Sequence, residues 1–207
     1  MQLRGCGTAL VTPFHQDGSL DEQALGNLVA WQIESGIDFL VPCGTTGETP
    51  TLSHDEWLRV IDVTIEATAG RVPIVAGATS NSTHDAVAKA KEAAERPGVD
   101  AILTASPYYN KPTQEGQFQH FKAIAEAVSK PVILYNVPGR TAANIEPSTI
   151  ARLSEVPNSS TCVATPLTVC GALSRAHKMR GSPRLRPRRR PRYCTADRYA
   201  SAMPRPR

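Results

Sequence analysis

No stretch of 18 consecutive apolar residues occurs in this 207-residue sequence, and its start, MQLRGCGTALVTPF, lacks an apolar core followed by a cleavage site. A helical membrane span and a secretory leader are therefore not expected, and the reading is a soluble chain of the cytoplasm. The five cysteines, at 6, 43, 162, 170 and 194, form no CxxC pair and no His/Cys spacing suited to a metal. Their odd number also argues against a disulfide framework, so free thiols are expected. No G-x-G-x-x-G follows the first apolar run, which weighs against a dinucleotide fold. The glycine-rich GTTGE at 44–48 lacks the lysine of a phosphate loop, which weighs against nucleotide binding.

Acidic residues all but vanish after Asn158. Residues 1–158 hold 11 Lys/Arg against 18 Asp/Glu, a net of −7, whereas residues 159–207 hold 12 against one, a net of +11. The second segment contains GSPRLRPRRRPRY and SAMPRPR and has no apolar periodicity. Such a composition buries too little surface to offset its ordering entropy, so the expected organisation is one folded unit over 1–158 and a disordered basic tail over 159–207.

What is there, before that boundary, is a repeat. Short apolar runs, TALV (8–11), FLV (39–41), PIVA (73–76), AILT (101–104) and VILY (132–135), alternate with amphipathic stretches. From Val11 through Leu40, Val75, Leu103 and Leu134 the steps are 29, 35, 28 and 31 residues, the size of a strand plus a crossover helix. A helix is expected after the S-x-x-E of Ser19 and Glu22, with Leu25, Leu28, Val29 and Ile33 on one face. Another should follow Ser53 and Glu56, with Trp57, Ile61 and Ile65 on its face. A third starts near Ser82, a fourth carries Phe118, Phe121, Ala125 and Val128, and Pro147 opens a short fifth. Five strand–helix units imply an α/β fold with a parallel sheet, either doubly wound or a barrel. Both place ligands at the C-terminal ends of the strands.

The chemically distinctive segments sit at those ends: GTTGE (44–48), TSNS (79–82), SPYYNKP (106–112) and YNVPGRT (135–141). In GTTGE, the glycines let backbone approach a ligand, and Thr45 and Thr46 offer hydroxyl and N–H donors for a small carboxylate; an ordinary glycine turn would look the same. In SPYYNKP, two tyrosines stand between prolines, as aromatic core filler also can. In YNVPGRT, Arg140 is suited to clamp a carboxylate with two parallel bonds, against the alternative of a solvated loop arginine.

Taken together, TALVTPF, GTTGETPTLSHDEW, RVPIVAGA, SPYYNKPTQEG and YNVPGRT resemble the dihydrodipicolinate synthase family of pyruvate-dependent class I aldolases, almost continuously over residues 1–158. The resemblance implies a (β/α)8 barrel, of which the first five β/α units are present here. It implies condensation of pyruvate with aspartate semialdehyde through a lysine Schiff base, without cofactor or metal, in diaminopimelate and lysine biosynthesis. By the same resemblance Tyr135 is the proton donor and acceptor, linked through Thr45 to Tyr109, which a neighbouring subunit of a homotetramer supplies. A phenol is a weak acid and needs such a relay to move protons at neutral pH. Thr46 would hold the pyruvate carboxylate and Arg140 that of the semialdehyde. His54, Asn81 and Tyr108, with Asp85 where a glutamate is common, match an inhibitory L-lysine site at a subunit interface. Trp57 departs there from the histidine of some lysine-sensitive members.

The family's Schiff-base lysine falls at Val163, in PNSSTCVATPL, and no lysine lies between Lys130 and Lys178. Lys178 stands in a stretch with no strand signal, and near-attack placement tolerates little error, so it is not a substitute. The expectation is a chain inactive on its own. The Arg/Pro/Ala tail reads as a frameshifted continuation, testable in the coding DNA: another frame after codon 158 should encode a strand with a lysine and further β/α units. The competing functional readings are another pyruvate aldolase of the same family and a non-catalytic, truncated chain whose basic tail binds a polyanion. Nucleic-acid recognition is not expected, because only Tyr193 and Tyr199 are present there for stacking and no recognisable domain accompanies them.

Overall fold

In the computed structural model, the structure describes residues 3–164. The order is β1 (Gly7–Ala9), α1 (Glu22–Glu34), β2 (Phe39–Val41), α2 (His54–Thr68), β3 (Val75–Gly77), α3 (Thr83–Glu95), β4 (Ala101–Ala105), α4 (Gln114–Ala127), β5 (Val132–Tyr135), α5 (Pro138–Thr141), α6 (Pro147–Leu153) and β6 (Ser159–Ala164). All the strand pairs are parallel, β1 with β2 and β3 through β6 in sequence order. The bridge between Leu40 and Ile74 joins the two groups. The run is therefore 1-2-3-4-5-6 with no reversal. A doubly wound sheet must reverse at its switch point, so this order decides for the barrel type that the repeat alone left open.

Local chemistry accounts for the helix starts. Ser53 and Glu56 form the expected capping box on α2, and the Ser82 side chain accepts from the Asp85 N–H to open α3. The first helix differs from expectation. Its cap is Asp21, which accepts from the Ala24 N–H, while the Ser19 hydroxyl donates to Asp17 in the turn before it. Of the four residues expected on its inner face, Leu25 and Val29 are buried, with Leu28 and Ile33 partly so. The buried Gln32 beside them accepts a hydrogen bond from the Thr8 hydroxyl. The helix-covered side of the sheet is the main core, around Leu25, Leu40, Trp57, Ile61, Ile102 and Ile124. The opposite face is a smaller apolar layer of Val41, Val75, Ala101 and Ile133, with Phe39 and Leu103 against it.

Two elements extend the sequence reading. Pro138 starts a four-residue helical turn, α5, immediately after the tyrosine strand. The sheet also continues past the expected boundary at Asn158. That residue turns in the left-handed region (φ 62°), its carbonyl accepts from the Val132 N–H, and Ser159–Ala164 then pairs alongside β5. Its polar opening, Ser-Ser-Thr, conceals it from an apolar-run reading. The remainder of the basic segment, the part on which disorder, frameshifting and polyanion binding were expected, lies outside the described residues, as does Lys178. Among the described residues no helix is long and apolar enough to cross a membrane.

Candidate active site

The C-terminal ends of β2, β3, β4 and β5 converge on one cavity of about 210 Å³, lined among others by Thr45, Thr79, Tyr108, Tyr135 and Arg140. Tyr135 and Thr45 also face a second space of about 290 Å³ on the inner side of the sheet, where Thr46 joins them beside Val75, Leu103 and Ile133. Two of the four sequence clusters, GTTGE and YNVPGRT, thus reach one place through side chains expected to do chemistry, SPYYNKP joins them through Tyr108, expected at the inhibitor site, and Thr79 brings in the fourth.

The GTTGE loop is held by hydroxyls on either side of it. Thr49 Oγ1 donates to the carbonyls of Cys43 (2.6 Å) and Gly44 (3.0 Å), and Thr12 Oγ1 donates to the Gly47 carbonyl at 2.7 Å. Both threonines are buried, and neither stood out in the sequence; only their place under the loop shows what they do. Cys43 enters the loop with φ 54°, and its backbone packs so closely on Gly77 that a Cβ there would lie 1.9 Å from the Cys43 carbonyl oxygen. Thr45 and Thr46, on the short 3-10 turn Thr45–Gly47, are left exposed over the cavities. The Cys43 thiol below them is pushed up to about 12 by burial, which makes it a poor nucleophile rather than a catalytic one.

In SPYYNKP, the buried Ser106 hydroxyl donates to Gln117 Oε1 (2.9 Å), and Asn110 ties the tip to the neighbouring loop by donating to the Asn81 carbonyl at 2.8 Å. Tyr109 and Lys111 both adopt positive φ, 69° and 48°, a conformation costly for such residues. Tyr108 turns into the cavity. Tyr109 points away, is 85% exposed, and does not line the space holding Tyr135 and Thr45. Arg140 rides on α5, exposed at the cavity mouth, and its guanidinium makes no ion pair among the described residues.

Of the four residues matched to an inhibitor site, His54, Asn81 and Asp85 fall at or beside the starts of α2 and α3, and Tyr108 in the loop after β4. His54 Nε2 lies 3.1 Å from Glu92 Oε2 and its ring stacks on Trp57, with centroids 6.1 Å apart. Asn81 belongs to the Asn110 link, and the Asp85 carboxylate lies 3.3 Å from His84 Nδ1. Only Tyr108 of the four lines the cavity. Val163 lies in β6, one residue before Ala164, which is in register with Tyr135. No lysine lines either cavity, and no group of His, Cys, Asp or Glu suited to a metal occurs among the described residues.

Comparison with known proteins agrees with this geometry. The chain is 77% identical over 158 residues to the 4-hydroxy-tetrahydrodipicolinate synthase of Koribacter versatilis (strain Ellin345), covering 76% of this chain and 53% of that protein. It therefore spans about half the length of the curated relatives it matches. Among solved structures, it is similar to the chloride-inhibited dihydrodipicolinate synthase from Acinetobacter baumannii complexed with pyruvate. That match has a TM-score of 0.75 at 48% identity and covers 78% of this chain and 55% of that one. The enzyme from Cyanidioschyzon merolae with lysine bound matches with a TM-score of 0.79 at 37% identity, over 85% of this chain and 60% of that one. With its family model matched over residues 2–166, its strands in barrel order and its loop residues gathered on one cavity, the chain belongs to the dihydrodipicolinate synthetase family.

Proposed function

We propose that this chain carries the substrate-recognising and proton-transferring part of a 4-hydroxy-tetrahydrodipicolinate synthase site, a carbon–carbon lyase joining pyruvate to aspartate semialdehyde. The observation that carries this reading is the single cavity on which Thr45, from the end of β2, meets Tyr135 and Arg140, from the end of β5. In the reaction implied by the family, a lysine amine condenses with the pyruvate ketone and releases water. The imine loses a methyl proton to give an enamine, whose carbon attacks the aldehyde, and the resulting alkoxide takes up a proton. Tyr135 is placed to hold and return these protons, with Thr45 as its partner in the relay. Thr46 binds the pyruvate carboxylate, and Arg140 takes the carboxylate of the semialdehyde at the mouth.

The exposed Tyr109 serves, in this reading, a neighbouring copy in a homo-oligomer, a tetramer by family. In the same reading His54, Asn81, Asp85 and Tyr108 receive L-lysine at the interface with such a neighbour. Cys6 and Cys43 are free thiols, in keeping with a reducing cytoplasm. No cofactor or metal is required. The amine is the missing component: Val163 stands where the family places it, so the chain does not form the Schiff base on its own. The basic segment after Asn158 is read as the product of a shifted frame.

The test is a titration of the full chain, observed by NMR, first with pyruvate and then with succinic semialdehyde. Shifts at Thr45 and Thr46 with the first and at Arg140 with the second are expected, and undisturbed signals at all three sink the reading. Borohydride added with pyruvate should leave the mass unchanged. A stable adduct would show that another amine performs the task.

A further inference from the structure

Beneath the turn that carries Arg140 runs a strap of amide side chains. Asn136, which follows Tyr135 directly, is fully buried; its Nδ2 donates to Asn144 Oδ1 at 2.9 Å and its Oδ1 accepts from the Ile145 N–H at 3.2 Å. The Asn144 carbonyl accepts from two glutamines in the first turns of α4, Gln114 Nε2 at 2.7 Å and Gln117 Nε2 at 3.0 Å. Each glutamine is engaged at its other end as well. Gln117 Oε1 accepts from Ser106, in the tyrosine loop, and Gln114 Oε1 accepts from the Glu146 N–H (3.0 Å) and the Thr149 hydroxyl (2.7 Å). One helix face thus binds the loop after β4 to the C-terminal end of the segment 136–146, and the Asn144 side chain carries the tie on to Asn136 at its start.

Ile145 packs among Phe121, Leu134, Ile150 and Leu153 at one end of that segment, and the buried Thr141 hydroxyl donates to the Val137 and Ala143 carbonyls, but the turn between has few other ties. The N–H groups of Arg140, Thr141 and Ala142 bond only within the turn, to Val137 and Pro138, and a Cβ on Gly139 would meet nothing within 4 Å. Ala142 closes the turn in the left-handed region, at φ 55°. A four-residue turn open on its outer side and fastened at its ends takes its position from the fastenings. The Arg140 guanidinium lies several bonds from any of them, and a displacement of roughly 1 Å in such a group can cost on the order of 100-fold in a reaction.

We propose that Asn144, with Gln114 and Gln117, is a positioning residue of this site, fixing the Tyr135–Arg140 turn so that Arg140 meets the carboxylate of an incoming aldehyde acid. The inference rests on the proposed role of Arg140 for its ligand but not for its geometry. Asn144 is itself exposed, so its substitution leaves the core untouched. Asn144→Ala removes the acceptor and leaves Asn136 Nδ2 buried without a partner, whereas Asn144→Asp keeps it.

The experiment compares the full native chain with N144A, N144D and Q114A by amide hydrogen exchange and by titration with succinic semialdehyde. In N144A and Q114A, exchange across 140–145 rises about tenfold or more and the probe binds roughly tenfold more weakly, while the urea midpoint falls by no more than the loss of the buried hydrogen bonds accounts for and the chain stays folded. N144D behaves as the native chain. Unchanged exchange in N144A overturns the strap, as does an N144D chain as loose as N144A. Raised exchange in N144A with native-like N144D, in a chain that does not bind the probe at all, upholds the strap and sinks the proposed carboxylate site instead.

Discussion

Replacing Gly77 by alanine should unfold a large part of this protein's stability, and the amount can be worked from backbone contacts. A Cβ at this position would stand 1.9 Å from the Cys43 carbonyl oxygen, 2.4 Å from its carbon and 3.0 Å from the Gly44 nitrogen. Real Cβ contacts essentially stop at 3.0 Å, so β2 and β3 must separate by at least 1.1 Å at their C-terminal ends. Nothing flexible lies in the way, because all three atoms are main chain. Two buried bonds cross at this point, the Gly77 N–H to the Pro42 carbonyl and Trp57 Nε1 to the Gly77 carbonyl, both 3.0 Å. Weakening both costs about 1–1.5 kcal/mol each, and the overpacking adds about 1–3 kcal/mol. The sum, about 3–6 kcal/mol, is a large share of the roughly 5–15 kcal/mol that holds a domain together. Urea unfolding followed by tryptophan fluorescence reads it directly, since Trp57 is one of the two bonded partners. Gly139→Ala is the control: with no neighbour within 4 Å in a helical turn, it should be neutral or gain about 0.5–1 kcal/mol. A G77A chain within about 1 kcal/mol of native would refute the reasoning, because β2 and β3 would then part without cost.

Further outcomes follow from single groups. Thr49→Val, nearly isosteric, should cost about 1–3 kcal/mol and loosen the GTTGE loop, because the Cys43 and Gly44 carbonyls lose their shared donor; Thr49→Ser should recover most of it. Alkylation with iodoacetamide at pH 8, mapped by peptide mass, should modify the exposed Cys6 readily. Cys43 should react only once the chain unfolds, as burial pushes its thiol up to about 12. His120 is 2% exposed, its Nδ1 meets Thr83 Oγ1 at 2.9 Å, and burial lowers it from the ordinary 6.5 to about 4. Between those values the unfolded chain binds the proton and the native one does not. Stability should therefore be complete above about pH 6.5 and fall as the pH drops toward 4, by up to about 1.4 kcal/mol per unit. Urea midpoints across that range would check it, and an equally steep fall in His120→Gln would assign the slope to other groups.

The family signature and most of the scaffold were legible in the sequence. The runs FLV and VILY are strands with the bounds expected, Ser53 and Ser82 cap their helices, and GTTGE, SPYYNKP and YNVPGRT stand at strand ends. These features are local: an apolar run, a capping hydroxyl and a turn residue act within a few positions of themselves. Strand β6 escaped because its first residues are polar and its place comes from pairing with β5. Gln32 and Gln117 look like surface residues in a helical pattern, yet both are buried because each meets a partner on another element, Thr8 and Ser106.

The sequence by itself therefore determined the first five strands and the helices between them, though not α5 or β6, and which phenol, hydroxyls and guanidinium are available for chemistry. It also determined that valine stands at 163. Only the tertiary structure decided that the sheet runs in unbroken sequence order, that Tyr108 rather than Tyr109 turns into this chain's own cavity, and that Asn144 and two glutamines hold the arginine turn. The physical reason is range. Caps and periodicity are settled within one or two turns of chain, whereas the strap joins α4 to residues about 30 positions away, and those meet only once β4 and β5 have paired.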